Sequence, residues 1–238
     1  VSIADMLMNR LVEDDQRNAL DLSEEAALSH LTGEQNQAIS SALSHALSLV
    51  SGGPGTGKTS IVVGVIIGAL NSGRMSERIT MAAPTGKAAW RMGDSVRSGL
   101  DELSLQRELP EPRTLHRLLE YQPHLGRFGR HRGYPIDADV VIVDEASMID
   151  TDLMYHLLDA VAPETNLVLL GDAEQLPSVG AGAVFENMTE CLSERCVTLT
   201  RNFRMREDDP DGVSILSLAR TIRQGAPSAC LLYTSPSP

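Results

Sequence analysis

Residues 52–59 read GGPGTGKT, a full match to G-x-x-x-x-G-K-[ST] between an apolar run and a predicted helix. Glycines at this spacing let backbone N–H groups curl around phosphate oxygens, and a helix N-terminus behind them adds positive potential. Gly53, Pro54, Gly55, Thr56, Gly57, Lys58, Thr59 and Ser60 form the expected cradle. Lys58 would reach the β- and γ-phosphates of a nucleotide and Thr59 would ligate Mg²⁺. The chain has 18 arginines and two lysines, Lys58 and Lys87. A lysine among arginines points to a need for a compact, flexible charge, a need that Lys58 meets directly. A second run, VVIVDEA, ends four apolar residues in Asp144 and Glu145. Asp144 at a strand end would hold Mg²⁺ through water, and Glu145 would orient and deprotonate an attacking water. A third, LVLLGDAEQLPSVGAGAVF, carries Gln175, whose amide would meet a γ-phosphate or that water and report the nucleotide state to whatever touches residues 178–182. The acidic pair together with the glycine loop points to hydrolysis rather than transfer to another substrate.

Such groups need a scaffold that delivers them to one edge. Short unalternating apolar runs at 48–51, 79–83, 140–143, 167–170 and 197–199 read as strands, and 32–47, 60–70, 86–100, 114–120 and 152–160 as helices. The Ile/Val-rich stretch 60–70 would favour a strand on composition; the glycine loop before it decides for a helix. Strands of this kind separated by helices predict an α/β fold, a parallel sheet with helices on both faces. Residues 121–135 carry turn formers and cations without periodicity and read as a loop or hairpin insertion. Three domain segments follow: an acidic helical tail of a preceding region or linker at 1–30, the α/β domain at 31–225, and a disordered or artefactual Ser/Pro-rich tail at 226–238.

The net charge is −12, which argues against a generic basic nucleic-acid coat protein or a polybasic membrane binder. The distribution says more. Residues 71–133 hold 11 basic and 7 acidic groups, whereas 1–34 and 134–238 are both strongly acidic. A polyanion other than the nucleotide should therefore dock on 71–133. The three cysteines, Cys191, Cys196 and Cys230, lack metal-site spacing and read as reduced thiols of a cytoplasmic protein. No apolar run approaches the ~20 residues of a membrane span, and no secretory signal is expected.

In order along the chain stand LTGEQNQAI, SGGPGTGKT, APTGKAAWRM, TLHRLL, VIVDEASMID, LGDAEQLPSVGAGAV and LTRNFR. Seven such motifs in this order resemble the superfamily 1 helicases, and most of all the RecD family, the alpha subunit of exodeoxyribonuclease V and its relatives. The resemblance runs from about 31 to 225. It implies a RecA-like P-loop NTPase domain, the first of two in a 5′→3′ DNA motor acting in recombination and repair. It implies ATP and Mg²⁺, single-stranded DNA and RecB- and RecC-like subunits as partners. Gln35 matches the family's adenine-reading glutamine, although Thr32-x-x-Gln35 is equally a capping box. Thr85, Gly86 and Lys87 match its first DNA motif, Thr114 and His116 its second, and Arg204 the arginine that approaches the γ-phosphate. Both DNA motifs fall in the electropositive stretch. Trp90, the sole tryptophan, reads as a core side chain or as a base-stacking one. The family's second motor domain, and a wedge or pin to split a duplex, have no counterpart here. Competing readings are another P-loop ATPase, such as a clamp-loader-like machine, a relaxase-associated helicase or an RNA helicase, and a non-catalytic subunit in which nucleotide only sets a conformation.

Overall fold

The computed structural model describes residues 2–14, 31–103, 105, 108–175 and 184–203. Those up to Thr200 belong to one unit; of a second, 201–238, only 201–203 are described. The element order is α1 (Ile3–Asp14), α2 (Gly33–Ser44), β1 (Leu47–Gly52), α3 (Lys58–Asn71), β2 (Ile79–Ala83), α4 (Gly86–Glu102), β3 (Arg113–Thr114), α5 (Leu115–Leu118), β4 (Val140–Val143), α6 (Thr151–Ala160), β5 (Asn166–Gly171), α7 (Val184–Cys191) and β6 (Cys196–Leu199).

The six strands pair in parallel in the order β3-β2-β4-β5-β1-β6. Alternate residues of each strand serve opposite cores. Val140, Ile142, Val168 and Leu170 pack with α2, α3 and α4. Val141, Val143, Leu167 and Leu169 pack with α5, α6 and α7. Because both faces are covered, the runs show no polar alternation.

In α3, residues Ile61 to Ala69 are all buried. Its six Ile and Val residues each cost at most about 0.7 kcal/mol in helix propensity, whereas burying each returns about 1.5–3 kcal/mol. Burial wins, and the sequence expectation of a helix holds. The segment 121–135 carries two isolated antiparallel bridges, Gln122 with Arg127 and His131 with Tyr134. Two elements were not anticipated. The edge strand β3 is two residues long, too short for a pattern. Helix α7 buries Phe185 and Met188.

Helix α1 packs Ile3, Met6 and Leu7 against the α6 side of the core. Its Arg10 is 5% exposed and donates to four backbone carbonyls: Ala46 (3.1 Å), Val161 (2.7 Å), Ala162 (3.0 Å) and Thr165 (2.8 Å). Ala46 and Thr165 immediately precede β1 and β5, so one guanidinium fastens α1 to the amino ends of two neighbouring strands.

Candidate functional site

The glycine-loop residues all lie between the carboxyl end of β1 and the start of α3. Gly55 and Gly57 have φ of 83° and 85°, a left-handed backbone that glycine adopts without strain. Thr56 is buried and donates its hydroxyl to the Gly53 carbonyl at 2.8 Å, which closes the turn. A Cβ on Gly52 would lie 2.6 Å from Thr56 Oγ1, so the loop and the strand end meet too closely for a side chain. Lys58 Nζ folds back to donate to the Gly52 carbonyl and, at 3.3 Å, to that of Gly53. Thr59 is exposed and Ser60 half-buried in the first turn of α3.

Gln35 is buried and forms the capping box of α2 with Thr32; its Oε1 accepts from the Thr32 amide at 3.0 Å. Its Nε2 donates to the Gly57 carbonyl at 3.4 Å, so it also braces the loop.

Asp144 and Glu145 follow β4, which is separated from β1 by β5. Burial pushes the Asp144 carboxyl above its ordinary range, helped by the charge of Glu145. The Glu145 amide donated to it at 2.8 Å, and the cations Lys58 and Arg91, act in the opposite sense. Glu145 has φ 56° and ψ 38°, an uncommon place for a non-glycine residue. Beyond β5, Asp172 is buried and caps Glu174 N at 3.1 Å. Gln175 is exposed, and its Oε1 accepts from Ser147 Oγ at 3.4 Å. The Ala173 amide donates to Ser51 Oγ at 3.2 Å. The loops after β1, β4 and β5 are thus stitched together at one edge.

At that same edge, Thr85 caps α4 by accepting from Ala88 N, and Thr114 caps α5 by accepting from Arg117 N. Thr85, Gly86, Lys87 and His116 are exposed and Thr114 is half-buried. His116 meets Tyr121 edge-on, with ring centroids 5.4 Å apart. Trp90 is 70% exposed, not in the core. The buried face of α4 is already filled by Ala89, Met92, Val96 and Leu100. Arg204 and residues 178–182 lie outside the described residues. Ser147 was missed by sequence reasoning; its signal is only its place in VIVDEASMID, two residues after Glu145.

The residues present fit Mg²⁺ with a nucleotide. The cradle admits no Cβ at Gly52, an exposed threonine hydroxyl opens the helix, and a half-buried carboxylate gains from a cation. Among the described residues no cluster of three or more His, Cys, Asp or Glu could hold a metal by itself. A site completed by phosphates needs none, since Mg²⁺ is commonly held by one or two carboxylates plus phosphate oxygens.

Residues 35–181 match the family described as an AAA domain. The chain belongs to that family. It is 42% identical over 207 residues to the RecBCD enzyme subunit RecD of Mycolicibacterium smegmatis, covering 83% of this chain and 36% of that protein. It is 33% identical over 180 residues to the ATP-dependent RecD2 DNA helicase of Deinococcus radiodurans, covering 76% and 22%. The AAA-domain chain therefore spans about a third or less of these relatives' lengths. Among solved structures, that of Bacteroides Pif1 bound to ssDNA aligns with a TM-score of 0.50 at 21% identity, covering 81% of this chain and 46% of that one. This likeness supports the parallel-sheet fold. Among the described residues no helix is long and apolar enough to cross a membrane.

Proposed function

We propose that this chain is the first RecA-like motor domain of a larger ATP-dependent DNA helicase, coupling ATP hydrolysis to movement along single-stranded DNA with 5′→3′ polarity. The observation that carries it is the convergence on one sheet edge. The Lys58 cradle, the Asp144–Glu145 pair and Gln175 sit there beside two capped helix starts, an exposed one at Thr85 and a half-buried one at Thr114. Gly53, Pro54, Gly55, Thr56, Gly57, Lys58 and Ser60 hold the phosphates, with Lys58 exchanging its carbonyl partners for phosphate oxygens. Gln35, which braces the cradle, faces the adenine. Thr59 directly and Asp144 through water would hold Mg²⁺, which would supply neutralisation of the phosphate charge. Glu145 takes the proton of the attacking water. Gln175 donates its amide N–H toward the γ-phosphate, and Arg204 stabilises the developing charge. Thr85, Gly86, Lys87, Thr114 and His116 carry the strand through phosphate contacts that fix position without reading sequence.

The partners implied are single-stranded DNA and, in an assembly built like the RecBCD relatives, RecB- and RecC-like subunits in the cytoplasm. The motor domain spans 31–225 on this reading.

The test is a fluorescent-ADP titration with Mg²⁺, for wild type and Lys58→Ala, with and without oligo-dT. Lys58→Ala abolishes nucleotide binding, and oligo-dT shifts the wild-type affinity, the signature of coupled sites. The 238-residue chain binds Mg·ATP, hydrolyses it slowly and unwinds nothing; robust unwinding by it alone refutes the reading.

A further inference from the structure

Trp90 is the only tryptophan of the chain, and 70% of it is open to solvent. It sits on the second turn of α4, five residues after the capping Thr85, a rise of about 7.5 Å at 1.5 Å per residue. Lys87, Trp90, Arg91 and Asp94 are all exposed and, at spacings of three, four and seven, share one side of the helix. The aromatic ring therefore stands among two cations and one carboxylate rather than in an apolar patch. Among the large apolar side chains exposed in the described residues, α4 contributes this one alone. A protein-binding face would surround such a ring with further apolar surface. A lone ring framed by cations is instead the composition of a single-strand binding groove, where bases stack on aromatic faces and cations follow the phosphates. The approach is open: a Cβ on Gly86 would meet no atom within 4 Å. The acidic end of α4, at Asp101 and Glu102, confines a polyanion to the first turns.

We infer that Trp90 is a base-stacking residue for single-stranded DNA, placing one base against α4 while Thr85, Gly86 and Lys87 hold the phosphate before it. The inference rests on the DNA-motor reading, and it adds a contact with the base to contacts made only with the backbone. Stacking tolerates every base, so it would grip the strand without sequence preference.

The single tryptophan makes the test direct. Oligo-dT is titrated into the 238-residue chain while tryptophan emission and the anisotropy of labelled oligo-dT are both followed. An abasic oligomer of equal length serves as the comparison. The expected result is emission quenched by oligo-dT and not by the abasic strand. Affinity for oligo-dT falls on the order of ten-fold in Trp90→Ala and is largely restored in Trp90→Phe. Unchanged melting temperatures establish that the variants fold. If labelled oligo-dT binds the wild type but emission does not change and Trp90→Ala binds equally well, stacking is refuted and the motor reading stands. Equal quenching by the abasic strand also refutes stacking. If the wild type binds no oligo-dT at all, the DNA reading fails and this inference with it.

Discussion

Glu145 combines a catalytic assignment with a backbone that opposes its residue type. Its φ of 56° and ψ of 38° place it in the left-handed region, which costs a residue bearing a Cβ about 1–2 kcal/mol. Glycine is free of that cost, although it gives back about 0.4–1 kcal/mol through the greater freedom of the unfolded chain. Glu145→Gly and Glu145→Ala both remove the carboxylate, and on the proposed reading both should lose ATP hydrolysis. They differ in strain, so the glycine variant should be the more stable by about 0.5–1 kcal/mol. The surrounding backbone bonds, Glu145 N to Asp144 Oδ1 and Met148 N to Glu145 O, remain available to both. In a domain of this size that difference is about 1–4 °C in melting temperature. Ser98, exposed inside α4, supplies the control. There alanine should exceed glycine by about 1 kcal/mol, the ordinary helical order. The assay is thermal unfolding of the four variants followed by circular dichroism. An alanine variant at 145 that melts at or above its glycine counterpart refutes the strained-base argument, whatever happens to hydrolysis.

Two further outcomes follow from packing. Replacing Arg10 with Met leaves four carbonyls without their charged donor; it should cost about 3 kcal/mol or more, read as a lower urea midpoint, with loss of less than about 1 kcal/mol refuting the clamp. Gly171→Ala puts a Cβ 2.8 Å from Phe185 Cε1 and 3.0 Å from the Ser147 amide. It should destabilise by about 1–3 kcal/mol through overpacking and, by displacing Ser147 from Gln175, lower kcat more than it raises KM; an unchanged kcat with lost stability would separate the packing role from the catalytic one.

The sheet was legible because a strand covered on both faces must be apolar throughout, as 140–143 and 167–170 are. The helix α3 was legible only through its neighbour: its own Ile and Val residues favour a strand, and the glycine loop overrides them. Where a signal needs length, it fails. The two residues of β3 carry no period, and α7 hides behind a glycine-containing run read as one motif. Trp90 shows the limit of spacing arguments. Helical spacing allows an aromatic ring to face either way, and only the filling of the inner face by smaller residues decides. Arg10 lies at the same limit, because an arginine in an acidic helix reads as solvated until the carbonyls it meets, more than thirty residues away in sequence, are in place. The phosphate cradle was the most legible part of the site, since its backbone geometry demands particular residue types. Ser147 was not, since a hydroxyl that bridges two loops leaves no local trace.

The Arg10 clamp has a mechanical consequence. Tension drawn through α1 enters the sheet at Ala46 and Thr165, the amino ends of β1 and β5, whose ladder runs parallel from Leu47–Leu167 to Ser51–Gly171. The load falls on two neighbouring strands at once, at the rim opposite the glycine loop and the Asp144–Glu145 turn. A pull from that side is shared along the ladder before it reaches those loops.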